Sequence, residues 1–284
     1  MLGAIVGDII GSVYEFIGVK DYNFKLLPQG SRLTDDSVMT IAVAYWLNYY
    51  GEIGHTREQL IECMQKIGRK YPYAGYGSSF NCWLRSENPQ PYNSWGNGAA
   101  MRVSPVGLFA ETLDEALALA KISAEVSHNH PEGIAGAQSV AAAVWMAKNG
   151  YTKENIRQYI QTQFNYDLTR TVDEIRPTYQ WDVSCQGSVP ESIICFLEGK
   201  DFIDVIRKAV SLGGDADTMA CIAGSIAACI YPIPEWLVNE CEKLCPSELL
   251  EYMERFEVLI ERKRVKKLMA EGHAITFEDL LSLI

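Results

Sequence analysis

Two short acidic clusters are the residues in this chain best suited by type and spacing to do chemistry. Thr34-Asp35-Asp36 precedes the apolar run 37–47, and Asp215-Ala216-Asp217-Thr218, introduced by Gly213-Gly214, leads into the apolar run 219–230. Both sets of carboxylates stand where a helix should begin, and the partial positive charge of a helix start accommodates acids by simple capping. Capping accounts for the first cluster adequately. The second opens a helix so rich in small apolar residues that it must be central, so its carboxylates sit in a recess and need compensating positive charge or protonation. A cation supplies that charge. The donors are hard oxygens with no His or Cys among them, which suits Mg²⁺ or Mn²⁺ better than Zn²⁺ or Cu²⁺. Two such corners meeting across a bundle would hold two cations about 3.5–4 Å apart, able to polarise one water or substrate oxygen together.

The elements that must position these clusters are helical. Apolar residues recur at steps of three and four over most of the 284 residues, and period-two runs are scarce. Thr56, Thr112 and Ser188 each stand three residues before Gln59, Glu115 and Glu191, a capping pattern that predicts helix starts at these points. Helices are predicted over 3–18, 34–50, 57–70, 98–110, 113–126, 131–149, 153–164, 189–199, 202–211, 217–230, 234–244, 247–271 and 277–283. The segments 71–97 and 167–187 read as long loops that frame a cleft. The fold class expected is all-α, one compact orthogonal bundle over 1–284. Residues 241–284 form amphipathic C-terminal helices that pack on the bundle or on a second copy, which leaves the oligomeric state open.

Composition narrows the function. With 25 Lys and Arg against 36 Asp and Glu, the formal net charge is −11, which disfavours a dedicated DNA-binding or anionic-membrane protein. The 48% hydrophobic content supports a substantial core, and no apolar run reaches membrane-spanning length. A start without a basic region, meeting an acid at Asp8, does not read as a signal peptide and predicts a cytoplasmic protein. Eight cysteines without a CxxC pair point to buried free thiols, not disulfides or zinc.

Four segments together resemble the ADP-ribosylglycohydrolase family, in the family's own order: 3–15, 34–37, 96–102 and 213–218. The stretches 127–137 and 187–192 are also similar to family segments that line a ligand cleft, and the resemblance is strongest over 1–240. It implies an all-α bundle with a dinuclear Mg²⁺ or Mn²⁺ centre at the base of a cleft, with Thr34, Asp35, Asp36, Asp215, Asp217 and Thr218 as ligands. Glu15 matches a glutamate that approaches the metals from a mobile segment as ligand, gate or acid/base. Gly96, Asn97, Gly98, Ala99, Met101 and Arg102 match a glycine-rich stretch that closes on the ligand's phosphates and distal ribose, and His128 matches a cleft histidine. Without the other motifs, Gly-Asn-Gly reads as a tight turn before a helix.

The activity implied is hydrolysis of an ADP-ribosyl bond at C1″ of the distal ribose, with Glu15, Asp35 and Asp36 as the catalytic carboxylates and Asp36 orienting the water. Asp8 is expected to anchor a loop or cap. The acceptors implied are ADP-ribosylated protein side chains such as arginine or serine, poly(ADP-ribose) or a small-molecule conjugate, and the net charge disfavours a nucleic acid. Two rival readings remain at this point: a catalytically idle ADP-ribose-binding or structural protein, and a two-metal phosphohydrolase that would release AMP.

Overall fold

The computed structural model describes residues 1–50, 54–276, 279 and 281. Among the described residues every regular element is a helix: α1 Leu2–Gly11, α2 Asp35–Tyr49, α3 Arg57–Gly68, α4 Ser78–Arg85, α5 Gly98–Met101, α6 Ser104–Phe109, α7 Leu113–Glu125, α8 Pro131–Lys148, α9 Lys153–Phe164, α10 Val172–Ile175, α11 Cys185–Glu198, α12 Phe202–Val210, α13 Ala216–Ala227, α14 Glu235–Glu242 and α15 Ser247–Ala270. The all-α expectation holds. No described helix is long and apolar enough to cross a membrane, and all eight cysteines are free thiols. The helix predicted over 277–283 lies largely outside the described residues.

α13 is the hub, buried along its whole length and packed against α1, α2, α8, α11 and α12. Its tightest neighbour is α1. Gly3, Gly7 and Gly11 recur every fourth residue, so they form one face of α1. A Cβ at Gly3 would meet the Gly224 carbonyl, one at Gly7 the Ala220 carbonyl, and one at Gly11 the Asp217 backbone. The two helices therefore run antiparallel with their backbones in contact. This crossing sets the C-terminal end of α1 beside the N-terminal end of α13, where the second acidic cluster begins.

Several expected boundaries shift, each for a local reason. The helix predicted over 3–18 stops at Gly11: Ser12 Oγ donates to Ile9 O at 2.9 Å, and successive turns follow to Gly18, whose φ is +68°. The helix predicted over 98–110 divides into α5 and α6. Pro105 has no N–H for the Met101 carbonyl, which accepts instead from Thr40 Oγ1 at 3.3 Å and Cys221 Sγ at 3.4 Å, linking α5 to α2 and α13. α11 begins four residues before the predicted 189, because Ser184 and not Ser188 is its cap, accepting from Gly187 N at 3.1 Å. Ser188 lies one turn inside and donates to Ser184 O at 2.7 Å. The two expected loops each contain a short helix, α4 and α10. The Thr56 capping box forms as predicted, and the expected C-terminal amphipathic helix is α15, which packs Leu249, Met253 and Phe256 inward and lies against α2.

Candidate metal centre and ligand cleft

The first acidic cluster is placed by Asp8, a lone carboxylate inside α1. It accepts from Thr34 N at 2.9 Å, Thr34 Oγ1 at 2.7 Å, Ser37 N at 3.1 Å and the Ser37 hydroxyl. The start of α2 is thereby fastened to α1, and the expectation of Asp8 as an anchor is met. The second cluster is placed by its glycines. Gly213 has a φ of +68°, a left-handed conformation that disfavours any side chain, and a Cβ on Gly214 would collide with the Tyr179 ring. The chain then turns sharply into α13 with Asp215 at its cap position.

The result is two overlapping carboxylate trios. Asp8, Asp36 and Asp217 bring ligand oxygens within 4.8 Å of one another, and Glu15, Asp215 and Asp217 do the same, so Asp217 belongs to both. Thr34 Oγ1 and Thr218 Oγ1 each lie 3.3 Å from Asp36 Oδ2. Asp35 stands outside both trios, on the wall of a cleft of about 650 Å³ that also reaches Glu15, Asp36, Asp215 and Asp217. Glu15, the farthest of these in sequence from any regular helix, comes from the turns after α1.

Packing so many acids together in a buried place is unfavourable without positive charge. Burial and the neighbouring carboxylates hold Asp35, Asp36 and Asp217 well above the ordinary carboxylate range. Burial raises Asp215 to about 6, and burial together with Asp217 pushes Glu15 up to about 7 against an opposing pull from Arg32. Asp8 has its oxygens occupied by four donors, but Asp36 Oδ1 is buried and, among the described residues, has no hydrogen-bond partner. A buried carboxylate oxygen without a donor requires a cation or a water. The donor set, all oxygen and strongly anionic, fits hard divalent cations.

The glycine-rich stretch borders the acids directly. Gly96 pairs with Ser184 in an isolated antiparallel bridge, with Asn97 N donating to Val183 O at 2.8 Å and Cys185 N to Trp95 O at 2.9 Å. Asn97 Nδ2 then reaches Asp215 Oδ2 at 2.7 Å and Ser188 Oγ at 3.2 Å. Gly98, Ala99 and Met101 form α5, with Met101 Sδ 4.0 Å from Thr218 Oγ1. Arg102 lies at the back of the cleft with its guanidinium buried, donating to Ser123 O at 2.6 Å and Ser127 Oγ at 2.9 Å. His128 stands against Gly96 and Gly98, while His130 caps α8 by accepting from Glu132 N at 3.2 Å. The sequence reading missed the cleft rim, where the exposed rings of Phe16 and Trp181 approach to 6.1 Å.

A family model described as ADP-ribosylglycohydrolase matches residues 1–268. Human ADP-ribosylhydrolase ARH3 is 25% identical over an alignment of 331 positions, covering 88% of this chain and 90% of that protein. The ADP-ribosylarginine hydrolase Tri1 of Pseudomonas putida is 23% identical, covering 84% of this chain and 72% of that protein. An uncharacterized protein of Archaeoglobus fulgidus is 32% identical over 171 residues, which span 55% of its length. Among solved structures, an ADP-ribosylglycohydrolase-related protein complex superposes with a TM-score of 0.60 at 22% identity, over 86% of this chain and 95% of that one. At that identity the likeness speaks to the fold.

Proposed function

The chain belongs to the ADP-ribosylglycohydrolase family, and from that premise we propose that it hydrolyses the glycosidic bond at C1″ of an ADP-ribosyl group, releasing ADP-ribose from a modified acceptor. The observation that carries this reading is the pair of carboxylate trios sharing Asp217, with Asp36 Oδ1 unpartnered, at the floor of a cleft walled by Asn97 and Gly98. Asp36, Asp215 and Asp217, with Thr34, Asp35 and Thr218 around them, would hold two Mg²⁺ or Mn²⁺ ions. When bound, these ions supply Lewis-acid polarisation of water or ribose hydroxyls and neutralise the clustered acids.

The remaining steps belong to the protein's own groups. Asp36 orients the attacking water through its free Oδ1 and takes up its proton. Carboxylates on both sides of C1″ stabilise the oxocarbenium-like charge that develops as the glycosidic bond breaks. Glu15, held near neutrality in its affinity for a proton, delivers one to the departing acceptor atom. Gly96, Asn97, Gly98, Ala99, Met101 and His128 bind the ADP-ribosyl group.

The acceptor favoured is a protein side chain, arginine or serine. One relative's name specifies a substrate, that of the ADP-ribosylarginine hydrolase, and the net charge of −11 disfavours nucleic acid. The test is incubation with ADP-ribosyl-arginine and ADP-ribosyl-serine peptides and Mg²⁺ or Mn²⁺, with products identified by mass spectrometry and Asp35→Ala and Asp217→Ala in parallel. Cation-dependent release of intact ADP-ribose, lost in both variants, is the expected result. AMP as product would establish phosphohydrolysis instead, and ADP-ribose binding without turnover on either peptide would favour a binding protein.

A further inference from the structure

Arg102 is 1% exposed, and among the described residues its guanidinium has no carboxylate partner. It donates to Ser123 O and Ser127 Oγ, lies 5.8 Å from the Phe80 ring, and leaves its Nε buried without an acceptor. A buried cation held this way serves no ion pair, so its contacts must be read for what they orient. Ser127 Oγ, which accepts a hydrogen bond from the guanidinium, stands 2.8 Å from His128 Nδ1.

The proton count along this line has one economical solution. A guanidinium donates and never accepts, so Ser127 Oγ is its acceptor. The serine has a single proton, and the remaining partner within reach is His128 Nδ1. That nitrogen is therefore the acceptor, which leaves the ring's proton on Nε2. The ring lies beside those of Tyr92 and Phe80, with centroids at 5.6 and 6.4 Å, and its backbone N donates to Ala124 O at 2.7 Å. Nε2 faces the glycine-rich turn: a Cβ on Gly98 would stand 3.1 Å from it and one on Gly96 3.7 Å. Burial and Arg102 both disfavour the charged imidazolium.

We propose that Arg102 and Ser127 are positioning residues that lock His128 as the neutral Nε2–H tautomer, so that it presents one fixed donor across Gly96–Gly98 to an acceptor oxygen of the ligand. The identity of that ligand as an ADP-ribosyl group rests on the preceding proposal. Arg102, on this account, acts on the ligand through Ser127 and His128 and not by touching a phosphate itself. The absence of side chains at Gly96 and Gly98 then keeps the donor uncovered.

Long-range ¹H–¹⁵N correlation spectra of the imidazoles test this directly, since the chain has four histidines and His128→Asn identifies the relevant signals. The expected result is a protonated Nε2 and an unprotonated Nδ1 at neutral pH in the wild type, a tautomer mixture or switch in Ser127→Ala, and the wild-type pattern in Ser127→Thr. An Nδ1–H tautomer in the wild type, or an unchanged pattern in Ser127→Ala, overturns the relay whether or not the chain hydrolyses anything. ADP-ribose titration by calorimetry on the same samples should show affinity about three- to tenfold weaker in Ser127→Ala and restored in Ser127→Thr. A switched tautomer with unchanged affinity overturns the role assigned to the donor. A wild type with the expected tautomer that fails to bind ADP-ribose overturns the glycohydrolase reading and supports the relay.

Discussion

At the scale of single residues, Asp8 and Asp36 show that two buried carboxylates in one cluster do different work. Asp8 is saturated by donors from Thr34 and Ser37, so its charge is spent on holding the start of α2. Replacing it by Ala strands those donors in a buried place, and Asp8→Ala should lose about 3–5 kcal/mol of stability, measured by urea unfolding. Asp36 has a free oxygen and crowding neighbours, so its replacement has the opposite sign in the absence of cations. Asp36→Asn should be more stable than the wild type by about 1 kcal/mol in EDTA, should lose most of the stabilisation that Mg²⁺ or Mn²⁺ confers, and should turn over substrate at least about 100-fold more slowly. Thermal scans with and without cation check the first two effects, and equal cation responses in variant and wild type would refute Asp36 as a ligand. The acids at 35–36 and 215–217 are conspicuous in the sequence because they stand together at the starts of apolar helices. Which oxygens are satisfied depends on donors 26 to 29 residues away for Asp8, 118 residues away for Asp215 and, in part, 182 residues away for Asp36, and no local pattern records that.

At the scale of elements, caps and faces were legible and short or interrupted helices were not. The Thr56 box follows from a local hydrogen-bond pattern, so Thr56→Ala should cost about 1 kcal/mol in thermal unfolding and leave turnover unchanged. α4 spans eight residues among Gly, Ser and Tyr, and it is held by burying Phe80, Trp83 and Leu84. A helix that short has no stability of its own and takes its existence from the surface it covers. At the other extreme, α1 looked continuous to residue 18 because its apolar residues run on, yet it ends where Gly11 meets the backbone of Asp217. The glycine face is the element on which the site depends. Gly7→Ala forces α1 off the Ala220 carbonyl and should destabilise by about 1–3 kcal/mol, with cation affinity falling as well because Asp8 and Glu15 move with the helix. Calorimetric cation titration distinguishes this from simple destabilisation: unchanged affinity in the folded variant would show that the crossing does not set the site.

At the scale of the whole molecule, the acid cluster makes stability depend on pH in a direction opposite to that of most ion-paired carboxylates. Groups with raised folded-state values bind more protons in the folded than in the unfolded chain, where carboxyls titrate near about 4. Their penalty is absent below that range and grows as pH rises through about 6 for Asp215 and about 7 for Glu15. Carboxylates held below their ordinary values, such as Asp204 and Glu174, are already ionised there and do not mask the effect. In EDTA the unfolding temperature should therefore fall between about pH 5 and about pH 7.5, and the gain on adding Mg²⁺ or Mn²⁺ should grow over the same window, because the cation displaces protons from the same oxygens. A cation effect that is flat with pH would count against binding at this cluster.

The amino-acid order alone determined the helical class, most helix positions, several caps and the two acidic corners, because a 3.6-residue period and a side-chain cap are encoded within a few neighbouring residues. It also carried the resemblance that named the family. Tertiary structure decided which oxygens meet, that Asp217 serves two trios, that Asp36 keeps one oxygen bare, and that Arg102 faces Ser127 and not an acid. Those relations join residues separated by tens to almost two hundred positions, and the meeting of the two acidic clusters depends on three glycines that allow α1 and α13 to touch backbone to backbone.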